Sequence, residues 1–212
     1  MHACRKMPPT PVLETQRLTL RPLSAQDVPA IQRRFPQWEV VRYLDAKVPW
    51  PYPADGAARY VANRLNSMAR GDRSHWAIVP RRGPQEAIGL IGLKPDDGVC
   101  SSQCGFWIDL EFQRRGLMME ALDSVTGYAF DDLEWPHLWS TNAQENHPSR
   151  RIKEHQGARL VDLVIGRHVG GETTHMVWLL TRESWTCSEQ RSRKKGRHAQ
   201  GRVPKAIAEA FT

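Results

Sequence analysis

The sequence predicts an α+β domain with one mixed sheet, and three observations carry that expectation. Short apolar or alternating stretches crowd the first half of the chain, arriving in pairs. Beyond residue 108, strands and helices take turns. The helix that opens this second half is amphipathic over residues 117–133 and follows directly on a glycine loop.

Taken in order, Leu18-Thr-Leu-Arg-Pro-Leu23 alternates until it meets Pro22, a first strand ending in a turn. Asp27 precedes Val28 and Pro29, with Ile31 and Phe35 at helical spacing, so a helix capped by Ser24 or Asp27 follows. Pro49-Trp-Pro-Tyr-Pro53 lacks the N–H groups of a helix or central strand and is a rigid loop. Asp55 then caps a helix with Ala58, Val61, Leu65 and Met68 on its apolar side and Gly71 at its end. Residues 75–79 and 87–93 are strands joined by a hairpin turn at Arg81-Arg-Gly-Pro84, and 103–108 is a further strand. In the 117–133 helix, Met118, Ala121, Leu122, Val125 and Ala129 form one stripe. A strand at 138–141, a helix at 149–156 stopped by Gly157, and strands at 160–165 and 175–180 complete the chain.

With 212 residues the chain can bury a substantial core without a disulfide or metal staple. No apolar run approaches the roughly 20 residues of a membrane-spanning helix. The N-terminus carries Arg5 and Lys6 without the apolar segment of a secretory signal. The expected organisation is a loose leader over 1–12, one domain over 13–186 and a basic tail over 187–212. Cys4, Cys100, Cys104 and Cys187 have no second Cys/His pair to complete a zinc site, so a reduced, cytoplasmic protein without a metal is expected. The tail holds +5 of the net charge of +7. It has the charge to meet phosphates of nucleic acid or the ribosome, and the polar composition of a solvated, disordered extension.

The chemistry centres on Trp107-Ile-Asp-Leu-Glu-Phe-Gln-Arg-Arg-Gly-Leu-Met-Met-Glu-Ala121. A helix N-terminus offers unpartnered N–H groups and partial positive charge to an anion such as a diphosphate. Gly116 lets the backbone approach closely, and Arg114 and Arg115 add charge. Alone, Gln113-Arg-Arg-Gly-Leu-Met118 serves a phosphate cradle and a plain strand-to-helix turn equally.

Its surroundings separate the two. The sequence resembles the GNAT superfamily of N-acetyltransferases, and within it the RimJ/RimL-like branch of ribosomal-protein alanine N-acetyltransferases. Gln113–Met118 follows the acetyl-CoA signature up to its last position, where Met118 replaces Gly or Ala. Leu13-Glu-Thr-Gln-Arg-Leu-Thr-Leu-Arg-Pro22, Ile88-Gly-Leu-Ile-Gly-Leu93, Gly105-Phe-Trp107 and Asn146-His-Pro-Ser149 match further motifs of the branch in order. Ala158 departs from its usual aromatic after Gly157.

The resemblance implies a mixed central sheet with a splayed, V-shaped cleft flanked by helices, in which pantetheine lies like an added strand. Backbone contacts then fall to Ile108 and Leu110, pyrophosphate contacts to Gln113, Arg114, Arg115, Gly116, Leu117, Met118 and Met119, and a further cofactor contact to Asn146. It also implies direct transfer of acetyl from acetyl-CoA to a primary amine, of a protein N-terminus or a small molecule, in a ternary complex. An N–H at or near Ile108 polarises the thioester carbonyl. Ser149 is the candidate proton donor to the CoA thiolate, although a serine there caps a helix equally well. Asn146 likewise suits a turn before the helix. Where many relatives carry a glutamate base this chain has Gln103, which cannot accept a proton at neutral pH; the substitutes are Asp109, Glu111 or His75 acting through ordered water. Trp50 and Tyr52 are placed to border an acceptor pocket. The competing class is a non-catalytic acyl-CoA-binding or nucleic-acid-binding module with the same fold.

Overall fold

The computed structural model describes residues 6–96 and 102–188, and its strands fall into two antiparallel sheets joined at Gln103. In the first sheet β1 (Leu13–Glu14), β2 (Leu18–Pro22), β3 (Ser74–Pro80), β4 (Gly89–Leu93) and β5 (Cys104–Ile108) lie side by side in chain order. In the second, β8 (Gly171–Thr181) runs between β6 (His137–Ala143) and β7 (Arg159–His168). The expected single mixed sheet is therefore divided. The division falls between β5 and β6, where Gln103 N–H donates to the Trp139 carbonyl (2.9 Å) and Gln103 Oε1 accepts from Trp139 N–H (2.8 Å). At its far end β5 turns to other partners: the Ile108 carbonyl accepts from the Gln113 side-chain amide at 3.1 Å. Closed at Gln103 and unladdered beyond it, the junction is the expected V-shaped opening.

Five named helices pack on this frame: α1 (Val28–Arg34), α2 (Trp38–Val41), α3 (Gly56–Ala69), α4 (Leu117–Gly127) and α5 (His147–Gln156). Alternation along the strands divides the core. Leu18, Leu20, Trp76, Ile78, Ile91 and Ile108 face Leu117, Met118, Ala121, Leu122 and Val125 of α4. On the other face, Ala77, Val79, Leu90 and Trp107 meet Ile31, Phe35, Ala57 and Val61 of α1 and α3. Since β3 is covered on both sides, every one of its residues is buried.

Several expectations change. The long helix ends regularly at Gly127 and continues as a π-helical turn over Tyr128–Asp132. Asp55 stands at the start of α3 without capping it and instead pairs with Arg59 one turn on. The described part of the leader, residues 6–12, is anchored: Met7 N–H donates to the Gly71 carbonyl, its side chain enters the core, and the Pro11 carbonyl accepts from buried Trp76. Residues 182–188 are helical, and the Ser188 hydroxyl reaches the Gln156 and Trp185 carbonyls, so structure crosses the boundary expected at 187. Cys4, Cys100 and the tail beyond 188, with its proposed nucleic-acid contact, lie outside the described residues. No helix among the described residues is long and apolar enough to cross a membrane.

Candidate active site

The chain leaves β5 through Asp109, whose carboxylate accepts from Glu111 N–H and so starts a short 3-10 turn at Leu110–Phe112. It then enters left-handed backbone at Arg114 (φ 61°) and Gly116 (φ 74°) before α4 begins. A Cβ at Gly116 would meet a single atom within 4 Å, Arg17 Nη2 at 3.5 Å. Glycine is thus required by the dihedral more than by crowding. Arg114, Arg115 and Gly116 are exposed, and the first-turn N–H groups of Leu117, Met118 and Met119 have no intrahelical acceptor. Charge, dihedral and free donors converge on one point, which fits a phosphate group. Leu117 and Met118 turn their side chains into the core. The departure at Met118 from the family signature is therefore a packing feature and leaves the phosphate approach open.

The loop is held from behind by the turn between β1 and β2. Thr15 Oγ1 (2.6 Å) and Arg17 N–H (2.8 Å) both donate to Glu120 Oε1, and Arg17 Nε donates to Oε2 (2.6 Å). Burial opposes ionisation of Glu120, but these hydrogen bonds outweigh it and hold its carboxyl below the usual range. Arg17 Nη1 also donates to the Arg115 carbonyl at 2.9 Å. The guanidinium groups of Arg34 and Arg115 lie 5.5 and 5.4 Å from the Phe112 ring. Thr15 and Arg17 belong to the Leu13–Pro22 motif, but their grip on the loop is not legible in it, because Glu120 is 103 residues from Arg17.

Gln103, Asp109 and His75 are each tied down or shut away by the fold. Gln103 is buried and its side-chain oxygen is committed to Trp139. Asp109 is buried against Arg34 and accepts a further hydrogen bond from Gln37. Glu111 is exposed, near Arg34. His75 lies on the α3 side of the sheet, edge-on to Tyr60 and against Gly92, with no hydrogen-bond partner on either ring nitrogen among the described residues. Burial, reinforced by Arg64 and Arg73, pushes its pKa down to about 3. The two glycines of the Ile88–Leu93 motif are both steric necessities. A Cβ at Gly89 would fall 2.4 Å from the Trp107 carbonyl, and one at Gly92 would fall 2.6 Å from the His75 ring.

On the other flank of β5, Asn146 caps α5: its Oδ1 accepts from Ser149 N–H at 3.2 Å. Ser149 is therefore not the cap, and its buried hydroxyl is otherwise engaged. Lys153, one turn on, donates from Nζ to Ser149 Oγ at 2.8 Å and lies 5.5 Å from the Phe106 ring centroid of β5. Nothing in the sequence marks Lys153, since a lysine in a basic, exposed-looking helix carries no signal of burial. Gly157 ends α5 in left-handed backbone (φ 86°), packed so that a Cβ would meet the Ser184 carbonyl at 2.8 Å; Ala158 packs against the core in place of an aromatic. Gln156 links α5 to α4 through Asp123 and Thr126. The residues expected to bind cofactor thus collect on α4 and α5 around β5. The two acceptor-side aromatics part company: Tyr52 packs on Phe35, whose ring also meets Trp107, whereas Trp50 is exposed beside Trp38.

Two splayed antiparallel sheets with a left-handed glycine at the start of the helix after β5 define an acetyltransferase-type α+β domain. The acetyltransferase (GNAT) domain family matches residues 17–159, and the chain belongs to that family of acetyl-CoA-dependent N-acetyltransferases. It is 30% identical over 143 residues to the uncharacterized N-acetyltransferase YoaA of Bacillus subtilis (strain 168), covering 67% of this chain and 79% of that one. Among solved structures it shares its fold with Mycobacterium smegmatis RimJ in complex with CoA-disulfide: TM-score 0.71, 19% identity, 85% of this chain and 90% of that one. RimL, a ribosomal L7/L12 α-N-protein acetyltransferase in complex with coenzyme A, aligns with TM-score 0.69 and 16% identity over 81% of this chain and 98% of that one.

Proposed function

We propose that this protein transfers acetyl from acetyl-CoA directly to a primary amine, that of a protein N-terminus or a small molecule, within a ternary complex. The observation that carries the proposal is the Gly116 loop: left-handed backbone, free N–H groups and two exposed arginines beside an opening between sheets. In this reading the N–H groups of Leu117–Met119 and the side chains of Arg114 and Arg115 take the pyrophosphate. Gln113 acts indirectly, bracing the loop on Ile108. Pantetheine lies along Ile108 and Leu110, and Asn146 orders the start of α5 beside it. Ser149 donates to the departing sulfur. With Gln103 and Asp109 committed elsewhere and His75 buried on the α3 side of the sheet, the amine loses its proton to water, and proximity and orientation supply much of the rate.

RimL's reported action on a protein N-terminus supports peptide acceptors as the first to try. The test is thiol release from acetyl-CoA across a panel of amines and peptides differing in their first residue. Turnover with any acceptor upholds transfer. Acetyl-CoA binding without turnover on any of them selects the non-catalytic acyl-CoA-binding alternative.

A further inference from the structure

Lys153 is the one buried lysine among the described residues, at 4% exposure, yet it forms no salt bridge with a carboxylate among them. Its surroundings are the Phe106 ring and the Cys104 thiol of β5, and the Ser149 hydroxyl of its own helix. Cys104 offers no counter-charge, because burial pushes its thiol up to about 12 and keeps it protonated. A buried cation without an anion is costly, and replacing one with an apolar side chain is usually neutral or stabilising. Packing alone therefore does not account for a lysine here.

The hydrogen bond itself has a direction. An ammonium group can only donate, so Ser149 Oγ is the acceptor, and the Ser149 proton is left to point at something else. In the acetyltransferase reading, the group it meets is the sulfur of CoA. We propose that Lys153 is a positioning residue for acetyl transfer: it orients Ser149 as a donor and supplies the positive charge that a nascent CoA thiolate meets. The proposal rests on the acetyltransferase reading and adds a residue to it.

The step balances. As the amine nitrogen bonds to the acetyl carbon, the carbon–sulfur bond breaks and its electron pair leaves on sulfur. Ser149 gives its proton to that sulfur and takes one from Lys153 Nζ, which is left neutral. The acylated amine sheds one proton to solvent, and solvent later restores the ammonium. Burial already pulls the Lys153 pKa down to about 8, so release and recapture of a proton both lie near neutrality.

The test has an arm that needs no acceptor. Calorimetric binding of CoA and of desulfo-CoA at pH 7.5, in buffers of different ionisation enthalpy, reads whether the thiol loses a proton on binding. Wild-type protein should release a fraction of a proton with CoA and none with desulfo-CoA. K153M and S149A should each lose that difference while binding both ligands within about twofold of wild type. In turnover, K153M should lower kcat by about 10- to 100-fold with the KM for acetyl-CoA little changed. S149A/K153M should be no worse than the poorer single variant, because the two act as one unit. Equal proton release by wild type and K153M, with kcat within twofold, would overturn the proposal. Failure of wild-type protein to bind CoA at all would instead overturn the acetyl-CoA reading beneath it.

Discussion

Gln103 and Trp139 are joined twice, through the Gln103 N–H to the Trp139 carbonyl at 2.9 Å and through the Trp139 N–H to Gln103 Oε1 at 2.8 Å. The side chain stands in for a missing backbone carbonyl at the point where the two sheets part. Q103A leaves the Trp139 N–H without its acceptor and should cost about 1–3 kcal/mol. Denaturant unfolding measures that loss. Q103E restores the residue type many relatives carry, but at 3% exposure its carboxylate would be buried. It should lower stability without raising kcat; an increase in kcat would show that this position does abstract the proton.

The Arg17–Glu120 pair separates positioning from stability. Arg17 is about half exposed, so the ion pair itself adds no more than about 1 kcal/mol. It nonetheless fixes the Arg115 carbonyl behind the loop. R17A and E120Q should shift Tm by only a few degrees and raise the KM for acetyl-CoA several-fold. Equal, small effects on both would mean the loop holds its shape unaided.

Gly116 and Met118 lie two residues apart and answer to different forces. G116A meets almost no atoms but must hold φ near +74°, at a cost of about 1–2 kcal/mol. It should weaken acetyl-CoA binding while the fold survives. M118A, which restores the family signature, empties a core position and should destabilise by about 2–5 kcal/mol. Its acetyl-CoA affinity should not improve. A tighter Kd in M118A would show that the side chain does obstruct the phosphates.

His75 makes the fold acid-sensitive. The folded pKa is about 3 and the unfolded value near 6.5, so below pH 6.5 the unfolded chain takes up a proton that the folded one refuses. Stability is therefore lost as pH falls from 6.5 toward 3, at about 1.4 kcal/mol per pH unit from this residue. Urea unfolding of wild type and H75L at pH 7, 6, 5 and 4 checks it. The same slope in H75L would assign the acid sensitivity to other groups.

What the sequence determined by itself was local. Alternation in Leu18–Pro22, the hairpin around Gly83 and the stripe of α4 rest on neighbours within a few residues, and those elements appear where expected. So does the Gly116 loop, whose dihedral and helix start are properties of one short segment. Only the tertiary structure could decide the rest, because it depends on partners far apart in the chain. Gln103 became a clasp rather than a failed base through Trp139, and Asp109 was taken out of contention by Arg34. Burial likewise placed Lys153, an ordinary basic residue by its helical context, beside Ser149 without a carboxylate partner among the described residues. Burial is a property of the assembled packing, and it changes a residue's chemistry without changing the sequence around it.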